Sequence, residues 1–596
     1  MSANSPTTER ADSRRPHRRP SKHPARRVAR LSLQRVRRPR LPSRAGLTAA
    51  LPTLVVLVAL AVAAVELLHF TDKIWFWADD WDLFFRRGII PGEDVGLFAP
   101  HNAHWFTMHV LVYRAVFEVF GLRSFVPYAT VEIAMHLLVA WTSYLVLRRL
   151  GARAWAAVGT SLLIAFFGAG ANAMIFPATM NHVGSLLFGL LATYALVRVE
   201  PGLRAGLLAA GCLLVAVMFS TTGVAVLVLV GLFGIAQRGW RVGILSVAPA
   251  AVAWATWYLL HRDQITPSSS DLEPTQIPSY VWTGLVQTLD GGIGLEGAGP
   301  VLLGVLLACL FVARIEHRSL VALAGAGLLA DLFQLVVVSV GRYGFGPEQL
   351  GTSHYAYVNL VLLAPAICLS FEVAIDNVRR TPAAVGALAL VLFSAYVLHG
   401  WNELQKWHDD FALITSANDE ILLGIRDAHE DGEQILNDVQ LSPIDVDFRP
   451  SYVASEEIRD ALPDRDADPR WRLEAEGQFY VGVADKDFRL ARPGGVRVFS
   501  GLEGVDDQDD TSSSGCHEFT ATAAEPIIEI DSDLGNEIVV WSNSTLVKTR
   551  LQRGDEDSSL REWPVEAGAV HVATSAYKSK LFVAFNGTGS YTVCTA

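Results

Sequence analysis

The chain has 596 residues, of which 51% are hydrophobic and only 18% charged, and it carries a formal net charge of −11. Soluble domains hold roughly 25% charged residues, so a single ordinary globular core is excluded. The charges are also segregated: residues 1–45 contain fourteen Lys and Arg against Glu9 and Asp12, and much of the acid lies after Trp401. A basic head, an apolar middle and an acidic end is a membrane layout.

Residues 1–45 are rich in Arg, Pro and Ser and lack apolar periodicity, which predicts a disordered cytoplasmic tail. Such a tail is compatible with nucleic acid, but positive charge next to a first span has the simpler role of fixing orientation. The expected partner is therefore membrane lipid and not nucleic acid. The basic part and the apolar run are both too long for a cleaved signal peptide.

A spanning helix needs about 20 mostly apolar residues. Eleven segments qualify: 47–69, 126–147, 154–171, 179–197, 205–220, 222–237, 242–261, 299–314, 320–340, 355–374 and 382–401. The fifth and sixth are short and read equally as one kinked hairpin. The amphipathic segment 105–122 belongs at the interface. Alternate turns carry Arg148, Arg149 and Arg153; Arg198 and Arg204; Arg238 and Arg241; Arg314 and Arg318; Arg379 and Arg380. Retention of positive charge puts these inside. The opposite loops carry Asp79, Asp80, Asp82, Glu93, Asp94, Asp271, Glu273 and Glu348, with Arg86, Arg87, Arg262 and Arg342 as exceptions. An odd number of spans from an inside amino end leaves the carboxyl end outside.

The expected fold class is thus an α-helical polytopic membrane bundle over 46–401, with a first outer loop at 71–125. An extracytoplasmic helical and linker region follows at 402–477. The last part, 478–596, has short β-like runs at 479–483, 496–499, 527–530, 537–541, 569–573, 580–585 and 591–594, which predict a small antiparallel β-sandwich. Residues 506–515 read as a flexible loop. Cys212, Cys309 and Cys368 fall in spans and act as small hydrophobes. Cys516 and Cys594 flank the β-rich part and pair as a disulfide if it faces an oxidising compartment; the alternative is two free thiols.

The first outer loop concentrates the chemistry. Trp75-Phe76-Trp77-Ala78-Asp79-Asp80-Trp81-Asp82 follows the first span, and His101-Asn102-Ala103-His104 comes later in the same loop. Carboxylates at a membrane edge among aromatics are costly to desolvate and mark function. The bland alternative is an interfacial aromatic belt with an Asp capping a short helix. Glu132 and His136, four apart on one span, share a face and pair with each other or act in function. Asp331 is a third ionisable group at membrane depth. Asn172, Asn181 and His182 read best as helix-end polar residues.

This layout resembles the GT-C superfamily of integral membrane glycosyltransferases, broadly the protein O-mannosyltransferase, aminoarabinose transferase and arabinofuranosyltransferase type. Asp79-Asp80 stands where that superfamily carries its acidic pair, after the first span. The approach Phe120-Gly121-Leu122-Arg123-Ser124-Phe125-Val126-Pro127-Tyr128 and the exit Leu147-Arg148-Arg149-Leu150-Gly151 are also similar. The resemblance covers roughly residues 46–400. It implies a polyprenyl-phosphate sugar donor, a cell-envelope glycan or protein acceptor, inversion at the anomeric carbon, and Asp79 and Asp80 as catalytic residues with Asp79 as general base. Substrate-binding candidates are Asp82, His101 and His104, with Arg342, Tyr343 and His354 before the tenth span. Arg342 suits phosphate oxygens; its alternative is snorkelling to lipid headgroups.

His101 and His104 with the nearby carboxylates offer ligands for a divalent ion such as Mg, Mn or Ca, and metal use is left open. No zinc-type Cys/His spacing, Gly-Lys-Ser/Thr phosphate loop or Gly-x-Ser-x-Gly elbow occurs. The Arg- and Ala-rich composition points to a high-GC bacterium such as an actinobacterium. Two other classes compete with the transferase. A lipid-linked-sugar transporter or flippase should show inverted repeats and broken spans. A noncatalytic glycan-binding envelope protein needs no Asp79-Asp80 pair. Asp79, Asp80 and Arg342 are expected to converge on one outer-face site.

Overall fold

A computed structural model describes residues 44–90, 94–265, 273–377, 382–431, 435, 449–479, 481–482, 497–499, 505–507, 516–521, 527–532, 537–541, 546–553, 556–564, 569–573, 579–585 and 589–595. Contacts group the chain into Met1–Ala50 and Leu51–Ala596. Of the first unit only the start of a helix, 44–50, is described. Most of the expected basic tail, together with Glu93, Asp271, Arg379, Arg380 and 508–515, lies outside the described residues.

The helices are α1 (Arg44–His69), α2 (Asp79–Phe85), α3 (Thr107–Phe120), α4 (Val126–Arg149), α5 (Ala154–Ala165), α6 (Ala171–Ile175), α7 (Met180–Arg198), α8 (Leu203–Phe219), α9 (Thr222–Arg238), α10 (Trp240–His261), α11 (Ile277–Ile293), α12 (Gly299–Ala313), α13 (Arg318–Gly341), α14 (Ser353–Asn377), α15 (Pro382–Glu430), α16 (Pro450–Val453), α17 (Glu456–Ala461) and α18 (Pro469–Phe479). Among the described residues seven helices are long and apolar enough to cross a membrane: Ala50–His69, Val126–Arg149, Pro177–Arg198, Trp240–Gln264, Arg318–Gly341, Ser353–Asp376 and Gly386–Glu430. An eighth candidate is the pair Ala154–Ala165 and Gly168–Ile175, bent by 46°. Three of the eleven expected spans, α8, α9 and α12, are helices of 17, 17 and 15 residues, short of the usual span.

The burial pattern has the sense a bilayer requires. On the Leu51–His69 part of α1, Val56, Leu60, Ala63 and Leu67 are buried, whereas Leu54, Leu57, Val58 and Val65 are exposed. Large apolar side chains are likewise exposed along α10 and α12, at Val252, Leu259, Leu260, Val301, Phe311 and Val312. Helices apolar on both faces belong in lipid, because water would penalise the outer face. The chain is a polytopic membrane protein.

In lipid every freed backbone group needs an internal partner. At the bend between α5 and α6, Tyr396 donates to the Leu163 carbonyl at 2.5 Å, and the Ala165 carbonyl takes His136 Nε2 at 3.3 Å. Gly168 lies against Gly400 of α15, where a Cβ would meet the Gly400 oxygen at 2.0 Å. Sequence reading merged this bend into one span. It also omitted α11, whose amphipathic stripe buries Tyr280, Leu285 and Leu289.

α15 runs for 49 residues, roughly 74 Å at helical rise. It crosses the boundary expected at 401 without a break and carries the chain out of the bundle. Its far half packs on the first loop, with the Trp75 N–H donating to Thr415 Oγ1 at 3.1 Å. It also packs on α18, whose Glu476 is 2% exposed and accepts from Arg472 Nε at 2.9 Å and Arg553 Nη2 at 2.5 Å.

A two-residue hairpin, β1 (Pro100–His101) and β2 (His104–Trp105), lies in the first loop. The remaining strands are β3 (Val481–Gly482), β4 (Arg497–Phe499), β5 (Val505–Asp507), β6 (Cys516–Ala521), β7 (Ile527–Ser532), β8 (Glu537–Trp541), β9 (Leu546–Arg553), β10 (Glu556–Asp557), β11 (Arg561–Pro564), β12 (Ala569–Ala573), β13 (Ser579–Phe585) and β14 (Gly589–Thr595). They form two six-stranded antiparallel sheets, β10-β9-β13-β7-β4 with β11 also on β9, and β3-β12-β8-β14-β6-β5. Cys516 of β6 and Cys594 of β14 are paired in register.

Candidate functional site

One side of the bundle gathers the first-loop acids and histidines with Arg342 and His354. The loop after α1 reaches the turn between α8 and α9: Thr221 Oγ1 donates to the Ala103 carbonyl at 2.7 Å. It reaches the end of α10, where Trp257 Nε1 donates to the Phe98 carbonyl at 2.7 Å. It reaches α15, and the start of α14 joins the same side through Ser353 Oγ, which accepts the Asn172 N–H at 2.9 Å. The opposite side carries Arg153, which pairs with Glu372 and Asp376 at the end of α14.

The local chain explains the acidic cluster. Ala78 sits at φ 47°, ψ −114°, a left-handed conformation that costs a non-glycine residue about 1–3 kcal/mol. This forced turn starts α2 directly at Asp79. Asp80, the next residue, is fully buried: it accepts the Trp77 N–H at 3.0 Å and the Tyr113 hydroxyl. Burial pushes its pKa up to about 7 against those two hydrogen bonds. Asp80 therefore closes the turn and anchors α3. Trp75, Phe76, Trp81, Phe84 and Tyr128 form one edge-to-face aromatic block around it. That block is core rather than an interfacial belt.

Asp79 differs. Its side chain is 56% exposed, the only open carboxylate of the three on α2. Behind it, His101 Nδ1 lies 2.6 Å from Asp82 Oδ2, and His101 Nε2 lies 3.7 Å from Asp79 Oδ1. Burial favours the neutral ring, but the charge of Asp79 and the hydrogen bond and charge of Asp82 overcome it and push His101 up to about 9. An imidazolium thus bridges two carboxylates. Burial works to raise Asp79, yet His101, followed by the charges of Arg342 and His109, holds it below the usual carboxylate range. Asp82 is lowered the same way, with Arg86 and Arg87 adding to His101. Arg87, an exception to the charge pattern, is buried and staples the loop by donating to the Ala99 and Pro100 carbonyls at 2.8 and 2.9 Å.

His104 turns away from this cluster. Its Nδ1 accepts the Thr221 N–H at 3.3 Å and meets Ser220 Oγ at 3.1 Å. Burial, with Arg342 and His101, drives its pKa down to about 3, so it is neutral with its proton on Nε2. Its ring meets His182 at 5.8 Å, and His182 stacks on His354 at 5.1 Å. Arg342, at the end of α13, exerts its charge on both Asp79 and His104. Tyr343 instead spends its hydroxyl on Gln276 and stacks on Tyr280 at 5.4 Å, bracing the loop against α11. His182, read from sequence as a helix-end residue, joins His104 and His354. His109 and Tyr113, missed in the sequence, pack beneath the cluster. Their spacing on α3 was the available signal.

Glu132 and His136 do not pair. His136 Nδ1 meets the Tyr357 hydroxyl at 2.7 Å, and both Glu132 oxygens are buried without a hydrogen-bond partner among the described residues. Asp331 has a neighbour unforeseen in sequence: the Asn359 amide, oriented to satisfy both of its ends, donates to Asp331 Oδ1 at 2.9 Å. Among the described residues the one group of three donors placed within 4.8 Å of one another is Glu316, His317 and Asp376, on the Arg153 side. His101 and His104 are not part of such a group, because one ring is held by carboxylates and the other by Thr221. They do not fit a shared divalent ion in this arrangement.

No known family pattern matches the chain, and no curated protein is similar to it. Some solved structures are distantly similar. The apo structure of ArnT from Cupriavidus metallidurans is 14% identical over 68% of this chain and 84% of its own, with a TM-score of 0.42. The Archaeoglobus fulgidus oligosaccharyltransferase is 10% identical in its apo form, over 90% of this chain and 97% of its own, with a TM-score of 0.40. Its complex with zinc and sulfate is 12% identical over 89% and 98%, at 0.39. At such identities and TM-scores these likenesses establish neither a shared family nor a shared activity.

Proposed function

We propose that the chain is a membrane glycosyltransferase that moves a sugar from a polyprenyl-phosphate donor to an extracytoplasmic glycan or protein of the cell envelope. The observation that carries this reading is the division of labour on α2: Asp80 and Asp82 are enclosed and spent, while Asp79 stands open, ionised and facing the charge of Arg342. On this reading the amino end is cytoplasmic and the Asp79 side extracytoplasmic, which the positive-inside bias of the Arg-bearing turns supports.

In this mechanism Asp79 takes the proton of an acceptor hydroxyl. The acceptor oxygen bonds to the anomeric carbon as the carbon–oxygen bond to the lipid phosphate breaks, and that electron pair leaves with the phosphate. Inversion follows from the single displacement. Arg342 supplies fixed positive charge for the departing phosphate, and His104 Nε2–H and His354 stand beside it. His101 and Asp82 are positioning residues that hold Asp79, and Asp80 positions the turn. No step uses a metal.

One observation favours the transporter reading, the bent α5–α6 pair. Both readings meet in one experiment: membranes expressing the chain are given radiolabelled polyprenyl-phosphate sugars with envelope acceptors. Transfer of label from at least one donor is expected. Movement of labelled lipid across the bilayer without transfer would replace this reading with transport.

A further inference from the structure

A cavity of about 500 Å³ opens between the 73–75 turn, α15 and α18. It shares no lining residue with the Asp79 cluster, Arg342 or the three histidines. Its volume lies within the range of small-ligand sites, roughly 300–1,000 Å³. Trp75 and Trp471 line it, and Arg470 braces the Trp471 ring at 5.8 Å from its centroid. The charged lining is balanced, with Asp419, Glu420 and Asp468 against Lys73, Arg465 and Arg470. Arg465 is already matched, to Asp419 Oδ2 at 2.5 Å and Glu420 Oε1 at 2.7 Å. A phosphate or an acidic peptide therefore finds no surplus of positive charge, and a basic ligand no surplus of negative.

The wall offers both kinds of polar partner, carboxylates that accept and Lys73 and Arg470 that donate, beside an indole ring. A polyhydroxyl ligand suits such a wall, because each hydroxyl donates and accepts, while its C–H face lies on the Trp471 ring.

We propose that this cavity binds a neutral oligosaccharide. Trp75 precedes Asp79 by four residues, at most about 14 Å of extended chain, so one saccharide chain can occupy the cavity and approach Asp79. On the transferase reading the occupant is the acceptor glycan, but binding itself does not depend on that reading.

The test is calorimetric titration of the full chain in nanodiscs with neutral linear oligosaccharides of glucose, mannose, galactose and arabinose, with no donor present. At least one should bind. Trp471→Ala should weaken it by about tenfold or more, the loss of one stacking ring, and Trp471→Phe should restore it. Ser416→Trp, at an exposed position on the cavity wall, should block binding by filling the space; it decides the matter if Trp471→Ala fails to fold. Absence of binding by every saccharide, or binding kept in Ser416→Trp, would overturn the proposal. Failure of sugar transfer with binding intact would count against the transferase alone.

Discussion

At the scale of single residues, two adjacent aspartates have opposite fates because one peptide turn is forced. Ala78 at positive φ aims Asp80 into the aromatic block and Asp79 out of it. The sequence showed both carboxylates and that they diverge; it could not say which one is buried, since that depends on Tyr113, more than thirty residues on. His101 yields a prediction with a defined sign. Its folded pKa of about 9 lies above the roughly 6.5 of an unfolded histidine. Folding therefore gains the full benefit of that proton below pH 6.5 and loses it as pH rises through 9, by roughly 3 kcal/mol at most. Thermal midpoints measured across this window should fall in wild type, and His101→Gln should flatten the fall. Equal slopes in both proteins would refute the imidazolium bridge.

At the scale of elements, apolar length was readable wherever a helix is greasy all round, which is why the expected segments were found as helices, the 154–171 one broken at its bend. What escaped were elements whose signal is relational. The α5–α6 bend follows from Gly168 meeting Gly400, and α11 is amphipathic because it covers the bundle's outer end. β9 was missed because Lys548, Arg550 and Gln552 alternate with the buried Thr549 and Leu551, a strand pattern masked by its polar face. The register of β6 with β14 makes a second prediction. Opposed residues in an antiparallel pair lie about 4.5–5.5 Å apart at Cα, within disulfide reach. Unfolded but unreduced protein from the oxidised compartment should expose three reactive thiols, Cys212, Cys309 and Cys368, and five after reduction. Five thiols without reductant would exclude the Cys516–Cys594 bond.

At the scale of the whole molecule, the sidedness expected from Arg placement is matched by contacts that share no logic with it: the first loop, the α8–α9 turn, the start of α14 and the far half of α15 meet one another. The site's composition was half legible. Asp79, His101 and Arg342 stood out by charge at a membrane edge, but the role of His182 emerges only when three helix ends converge. Single cysteines placed at Arg86 and at Arg149 test the orientation. In intact cells an impermeant maleimide should label the first and spare the second, and the reverse pattern would invert the topology. The claim on which most else rests is that Asp79 is the base for sugar transfer. Its most direct measurement is the initial rate of transfer by purified wild type, Asp79→Asn and Asp72→Asn, the last removing an exposed acid on the same loop. The account predicts a loss of about 10²–10⁴-fold for Asp79→Asn with equal protein and unchanged melting, and a rate near wild type for Asp72→Asn. Full activity in Asp79→Asn would contradict it.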